Sequence, residues 1–218
     1  MINLIKKDLA LNVNKRTLWV FIVYFFIIVI TSESYLPSNN KYIIIVSTMA
    51  YFIAAASFSF DDRLKGDYII NSLPIKRKDI VLAKYVSIIL YTIVALVFTG
   101  VLGGLISYIG IFENLDYINL NVISKSMIAV FLMCSLNFPL YFTKGYRVGK
   151  IISFAIYFGF FAIANSLYGE VSTGLILKIK SIFNSSSTFL NGIVLVIMVC
   201  VFILSIFISI GIYEKKEL

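Results

Sequence analysis

The chain has 218 residues, 60% of them hydrophobic and 14% charged, with a formal net charge of +8 and a mean hydropathy of +0.96. Soluble domains carry about 25% charged residues and about 45–50% apolar ones, so a water-soluble globular fold is excluded, and with it the nucleic-acid reading that a basic chain otherwise invites. The absence of histidine removes Ser-His-Asp and Cys-His catalysis and any histidine-ligated metal.

The first sixteen residues are not a span. Ile2, Ile5, Leu9 and Val13 fall on one helical stripe, and Lys6, Lys7, Asp8, Lys15 and Arg16 lie mostly off it. The expected element is an amphipathic helix lying in the interface over residues 1–16; the plainer alternative is a charged lead-in that anchors the next segment. No A-x-A site follows the first apolar run, so a cleaved signal peptide is not expected.

Six spans follow in the expected order: 17–36, with Trp19 and Tyr35 as interface residues and Glu33 near a surface; 41–60; 84–110, long enough to need tilt; 122–143, with Pro139 near one end; 149–168; and 190–213. Residues 169–189, between the last two spans, include "LILKIKSIF". This stretch is too short to cross and too apolar for a free loop, and is expected to be a short external helical segment. The fold class is therefore all-α: one polytopic transmembrane domain, residues 1–218.

Lysine and arginine set the orientation. Residues 1–16, 60–84, 144–150 and 214–218 together hold 15, and the opposite connections hold four, Lys41, Lys125, Lys178 and Lys180. Both termini are expected in the cytoplasm.

Motifs for chemistry within the chain are scarce. "GYRVGKI" (145–151) has three residues between its glycines and no Ser or Thr after Lys150, so it is not a phosphate-binding loop. Asn137 and Asn165 are the main polar side chains inside spans and are expected to bond between helices. Cys134 and Cys200 lie in apolar runs and are read as packing residues. The lack of intramembrane acids counts against a proton-coupled carrier and against an intramembrane enzyme. In "TGVLGG" (99–104), Gly100 and Gly104, with Gly103 beside them, form a candidate close-packing face.

The densest charge lies in 60–85, "FDDRLKGDYIINSLPIKRKDIVLAKY", with four acids and six bases between two apolar runs. Phe60, Leu64 and Tyr68 share a helical face. Asp61, Asp62 and Lys65 point elsewhere, and Pro74 ends one helix in a turn and starts the next. A purely topogenic loop accounts for the lysines but not for the acids or the stiff turn, so residues 60–80 are read as a docking surface for a cytoplasmic partner.

"LIKKDLALNVNK", "DDRLKGDYIINSLPIKRKDIVLAKY" and "NFPLYFTKGYRVGK" resemble, in order and spacing, the six-span permease subunits of bacterial type II ATP-binding-cassette exporters, in the group that includes the phenol-soluble modulin exporter. The resemblance implies a multi-pass protein of the bacterial plasma membrane with an N-terminal elbow helix. It implies a coupling helix over Asp61–Asn71, seated on a cytoplasmic ATPase, and a second permease subunit, identical or paralogous. In that scheme Asp61, Asp62, Arg63, Lys65 and Asp67 give polar recognition. Phe60, Leu64 and Tyr68 anchor the helix, and Ser72, Leu73 and Pro74 transmit motion. ATP and magnesium sit on the partner and no cofactor on this chain. The implied cargo is an amphipathic or hydrophobic peptide or drug; the competing reading is an ATPase-associated sensor or immunity protein that binds a peptide without moving it. One departure is Lys76, which stands where Ser or Thr often caps the helix after the turn.

Overall fold

A computed structural model describes residues 2–12, 14–31, 37–63, 76–110, 117–168 and 188–215, with the backbone alone at residues 2, 16, 63, 144, 146, 147, 160–168 and 188–191. The described residues form helices and no strand: α1 (Ile2–Asn12), α2 (Lys15–Thr31), α3 (Ser38–Arg63), α4 (Arg77–Ile109), α5 (Leu120–Tyr168) and α6 (Thr188–Glu214). Four helical segments are long and apolar enough to cross a membrane: Ser38–Asp62, Arg77–Ile109, Leu120–Thr143 and Gly192–Glu214. There are five if α1 and α2, bent by 59° to one another, count as one span; Val148–Gly159 is a shorter apolar helix.

The bend between α1 and α2 has a local cause. Asn14 caps α2: its side-chain oxygen accepts from the Lys15 N–H (2.8 Å), and the Thr17 hydroxyl accepts the Asn14 N–H in return (2.9 Å). This reciprocal arrangement starts a new helix instead of continuing the old one. Thr17 Oγ1 also lies 2.8 Å from the last carbonyl of α1, that of Asn12. From there α2 turns Phe25 and Val29 inward, and leaves Trp19, Val20, Val23, Ile27 and Ile30 on its outer side.

Central to the bundle is α3, whose Tyr42, Ile45, Val46, Met49 and Ala50 are buried. It packs on α4 through one tight contact. A Cβ added to Gly103 would fall on the Tyr42 ring, whereas one added to Gly104 meets nothing and one on Gly100 makes ordinary contact. The close-packing glycine of "TGVLGG" is thus Gly103 alone. At 33 residues α4 is roughly 50 Å long, well beyond a hydrocarbon core of about 30 Å. It starts after Lys76, whose side chain makes no capping bond, carries Asp79 in its first turn, and stops at Gly110 in the left-handed region (φ 71°), whose N–H bonds the Ile106 carbonyl.

Gly145 divides α5 into two arms. Its φ of 73° and ψ of 173° lie in a region that is essentially glycine's alone. The first arm contains Pro139, which cannot donate to the carbonyl of Ser135 one turn earlier. That carbonyl accepts instead from Ser205 Oγ of α6 at 2.7 Å. Ser205 Oγ in turn lies 2.7 Å from the Tyr85 hydroxyl of α4, and Ser209 Oγ lies 2.8 Å from the same hydroxyl. A proline-made vacancy in α5 is therefore filled by a hydroxyl ladder that joins three helices, as apolar surroundings demand. Around it, Tyr85 meets Phe138 and Phe202 edge-on, and Phe131 meets Phe202 at 4.7 Å.

Candidate functional site

At one end of the bundle the sequence collects its charge. Arg77, at the start of α4, donates to the Glu214 carbonyl at the end of α6 (2.9 Å). Phe142, beside the Gly145 break, meets Phe58 of α3 and Tyr213 of α6. The end of α3, the start of α4, the break in α5 and the end of α6 therefore share this end, and α1 lies against it.

Here four charged side chains from three helices converge. Asp8 of α1, Asp61 of α3 and Lys84 of α4 are 3%, 8% and 6% exposed. Lys84 Nζ lies 2.9 Å from Asp8 Oδ2 and 2.5 Å from Asp61 Oδ2, and it also donates to Ser57 Oγ. Its nitrogen is also 3.4 Å from the Ser57 carbonyl, so the three donors of the ammonium meet four oxygens. Ser57 Oγ in turn donates a hydrogen bond to Asp8 Oδ2 at 3.0 Å. Half-buried Lys7 closes the cluster, 2.8 Å from Asp61 Oδ1 and 3.5 Å from Asp8 Oδ1. Two carboxylates and two ammonium groups sum to zero, so the cluster is buried without a net charge. The Phe58 ring, its centroid 5.2 Å from Lys84 Nζ, covers one side. One helical turn on in α1, buried Asn12 donates to the Asp8 carbonyl (2.7 Å) and to the Tyr91 hydroxyl of α4 (3.2 Å).

Several sequence expectations meet this geometry. Asp61, Asp62 and Arg63 are the last turn of α3 itself, not the start of a separate helix. Asp61 is not exposed as expected: the lysines of α1 and α4 draw it inward, because a carboxylate at the end of an apolar helix is satisfied there by ion pairing. Asp62, the next residue, is exposed. Arg63 ends the helix, and Leu64, Lys65, Asp67, Tyr68, Ser72, Leu73 and Pro74 lie outside the described residues, as does most of 169–189. The continuous run from the loop into the third span is found, since α4 begins at Arg77 and carries Lys84 in its third turn. In α1 the helix is where the stripe puts it, but its most buried edge is Asp8 and Asn12; Leu4 and Leu9 pack on the core only partly.

The sequence pattern puts Lys7 and Asp8 on the polar side of α1 and gives Ser57 and Lys84 no role. Its one available signal was the position of Asp8 and Lys84 at the margins of apolar runs, where a charge must find either water or a partner. Among the described residues no three His, Cys, Asp or Glu side chains come together as a metal site. Asn137 is fully buried and its amide donates to the Met133 carbonyl of its own helix (2.8 Å). Cys134 is buried and Cys200 exposed, both as free thiols.

A family model described as "ABC-2 family transporter protein" matches residues 3–214. No curated protein and no solved structure gives a match.

Proposed function

The chain belongs to the ABC-2 family of transporter proteins, and from that membership we propose that it is the membrane permease subunit of an ATP-driven exporter. The observation that carries this reading is the family match over residues 3–214; the neutral ion cluster, which fastens α1, α3 and α4 together at the two ends of the charged 60–80 segment, supports it. A segment built to receive motion needs stiff connections to the spans it moves. Removing one partner from a buried ion pair costs about 3–5 kcal/mol, so the three helices answer a push on that segment together.

In this scheme the chain contributes six membrane segments: the four long spans, α2, and the second arm of α5. The loop between α3 and α4 and both termini face the cytoplasm, as the distribution of Lys and Arg favours. The contacts of Lys7 with Asp61 and of Arg77 with the Glu214 carbonyl support a common side for all three. A cytoplasmic ATP-binding-cassette ATPase docks on Asp62, Arg63 and the 64–74 segment, holds ATP and magnesium, and does all phosphoryl chemistry. A second permease subunit, identical or paralogous, completes the path in the bacterial plasma membrane. The cargo is amphipathic or hydrophobic, as with the peptides of the phenol-soluble modulin exporter group, because the spans offer few charges to receive a polar solute.

The test is co-purification from solubilised membranes, followed by ATPase and vesicle-uptake assays, on the wild type and on Asp62→Lys. An ATPase that accompanies the wild type, is lost with Asp62→Lys and drives uptake supports the proposal. A chain that purifies without any nucleotide-hydrolysing partner refutes it. An ATPase that binds but drives no transport makes the chain a sensor subunit.

A further inference from the structure

Between α3 and the second arm of α5, at the charged end of the bundle, lies a cavity of about 310 Å³ whose lining includes none of the four charged residues of the cluster. That volume is at the lower edge of small-molecule sites, about 300–1,000 Å³. Phe52, Phe60, Tyr141 and Phe154 form its walls. Phe52 and Phe154 are also exposed on the flank of the bundle, 39% and 47%, so the cavity is reached from the side where acyl chains would lie.

Two polar features point to a ligand. Lys150 lines the cavity and is exposed, and among the described residues it has no ion-pair partner and no acid lines the cavity with it. Ser153, one turn further into the same arm, also lines it. This residue is 2% exposed, and its hydroxyl has no partner among the described residues, although its carbonyl is 3.5 Å from the Tyr51 hydroxyl. A buried hydroxyl without a bond is costly unless something supplies an acceptor. An ammonium at the entrance, an unmatched hydroxyl within and aromatic walls open to the bilayer match one chemistry: an anionic headgroup attached to an acyl chain.

We propose that this cavity binds an anionic glycerophospholipid, with its phosphate between Lys150 and Ser153 and the start of one acyl chain against Phe52 and Phe154. The site concerns binding alone and stands or falls independently of the transport reading.

The experiment is native mass spectrometry of the full chain, delipidated in a neutral detergent and then titrated with phosphatidylglycerol or phosphatidylcholine of identical chains. Wild type should retain phosphatidylglycerol preferentially. Lys150→Gln should cut that preference about fivefold, the factor given by one lysine near an anionic surface, and Lys150→Arg should keep it. Ala56→Phe, which fills the cavity, should abolish retention at this site, and Lys76→Gln, an exposed lysine that does not line it, should change nothing. Equal phosphatidylglycerol retention by wild type and Lys150→Gln overturns the assignment. So does an equal loss in Lys76→Gln, which would mean general surface attraction. Inorganic phosphate that binds the wild type and is not displaced by phosphatidylglycerol would also overturn it, because the site would then hold free phosphate and not a lipid.

Discussion

Replacing Lys84 by methionine keeps most of the side chain's volume and removes one charge. The change leaves Asp8 and Asp61, 3% and 8% exposed, with Lys7 as their sole cation among the described residues and a net charge of −1 in a buried space. It also leaves Ser57 Oγ without the donor it accepts from. Breaking a buried pair in this way costs about 3–5 kcal/mol, a large part of a stability of about 5–15 kcal/mol. Asp62→Asn, one residue from the cluster but exposed, should stay within about 0.5 kcal/mol. The double variant Asp61→Asn/Lys84→Met restores neutrality, with Lys7 facing Asp8. It should lose about 1–3 kcal/mol less than the sum of its two single variants, since contacting charges do not add. The assay is unfolding of the purified chain in mixed micelles as the SDS fraction rises, followed by helical circular dichroism. If Lys84→Met costs under about 1 kcal/mol, or the cycle shows no coupling, the cluster does not hold α1 to α3 and α4 and the mechanical argument fails.

Three further outcomes test the fold. Gly103→Ala should destabilise the chain by about 1–3 kcal/mol because its methyl group meets the buried Tyr42 ring, while Gly104→Ala should be silent in the same unfolding assay. Ser205→Ala should cost about 1–3 kcal/mol by leaving the Ser135 carbonyl without a donor; Pro139→Ala, which returns that donor, should lessen the loss when combined with it. Gly145→Ala should cost about 1–3 kcal/mol through its backbone angles alone, since a Cβ there meets nothing. A Gly145→Ala variant as stable as wild type would mean that the two arms of α5 are not held at that angle.

Much of the helical layout is legible in the sequence because lipid imposes a simple rule: long apolar runs become helices whose backbone bonds are internal. The limits of α3 and α6 fall close to the runs read from hydropathy; α4 starts two turns before its run, at Arg77, and Gly110 stops it as a left-handed glycine should. The ion cluster was hidden for the opposite reason. Lys7 and Asp61 are 54 positions apart, and Ser57 and Lys84 are 27 apart. Local patterning assigns each such charge to a surface, and only the packed helices turn them toward one another. Likewise, composition marks all three glycines of "TGVLGG" equally. What singles out Gly103 is the position of Tyr42 on another helix, which no spacing rule contains.

The cluster has a consequence for biosynthesis. During translation Asp8 is made first, Asp61 next and Lys84 last, so α1 leaves the ribosome with a carboxylate whose principal partner does not yet exist. At about 5–20 residues per second that interval is about 4–15 s. Until Lys84 arrives, burying α1 beside Asp61 would leave Lys7 alone against two carboxylates, and the helix has reason to stay at the water boundary. Arrival of Lys84 both neutralises the acids and joins the two ends of the charged segment, so the closing of this end of the molecule is timed by a single lysine. A nascent chain arrested before Lys84 emerges should leave α1 open to protease, and one arrested well beyond it should not.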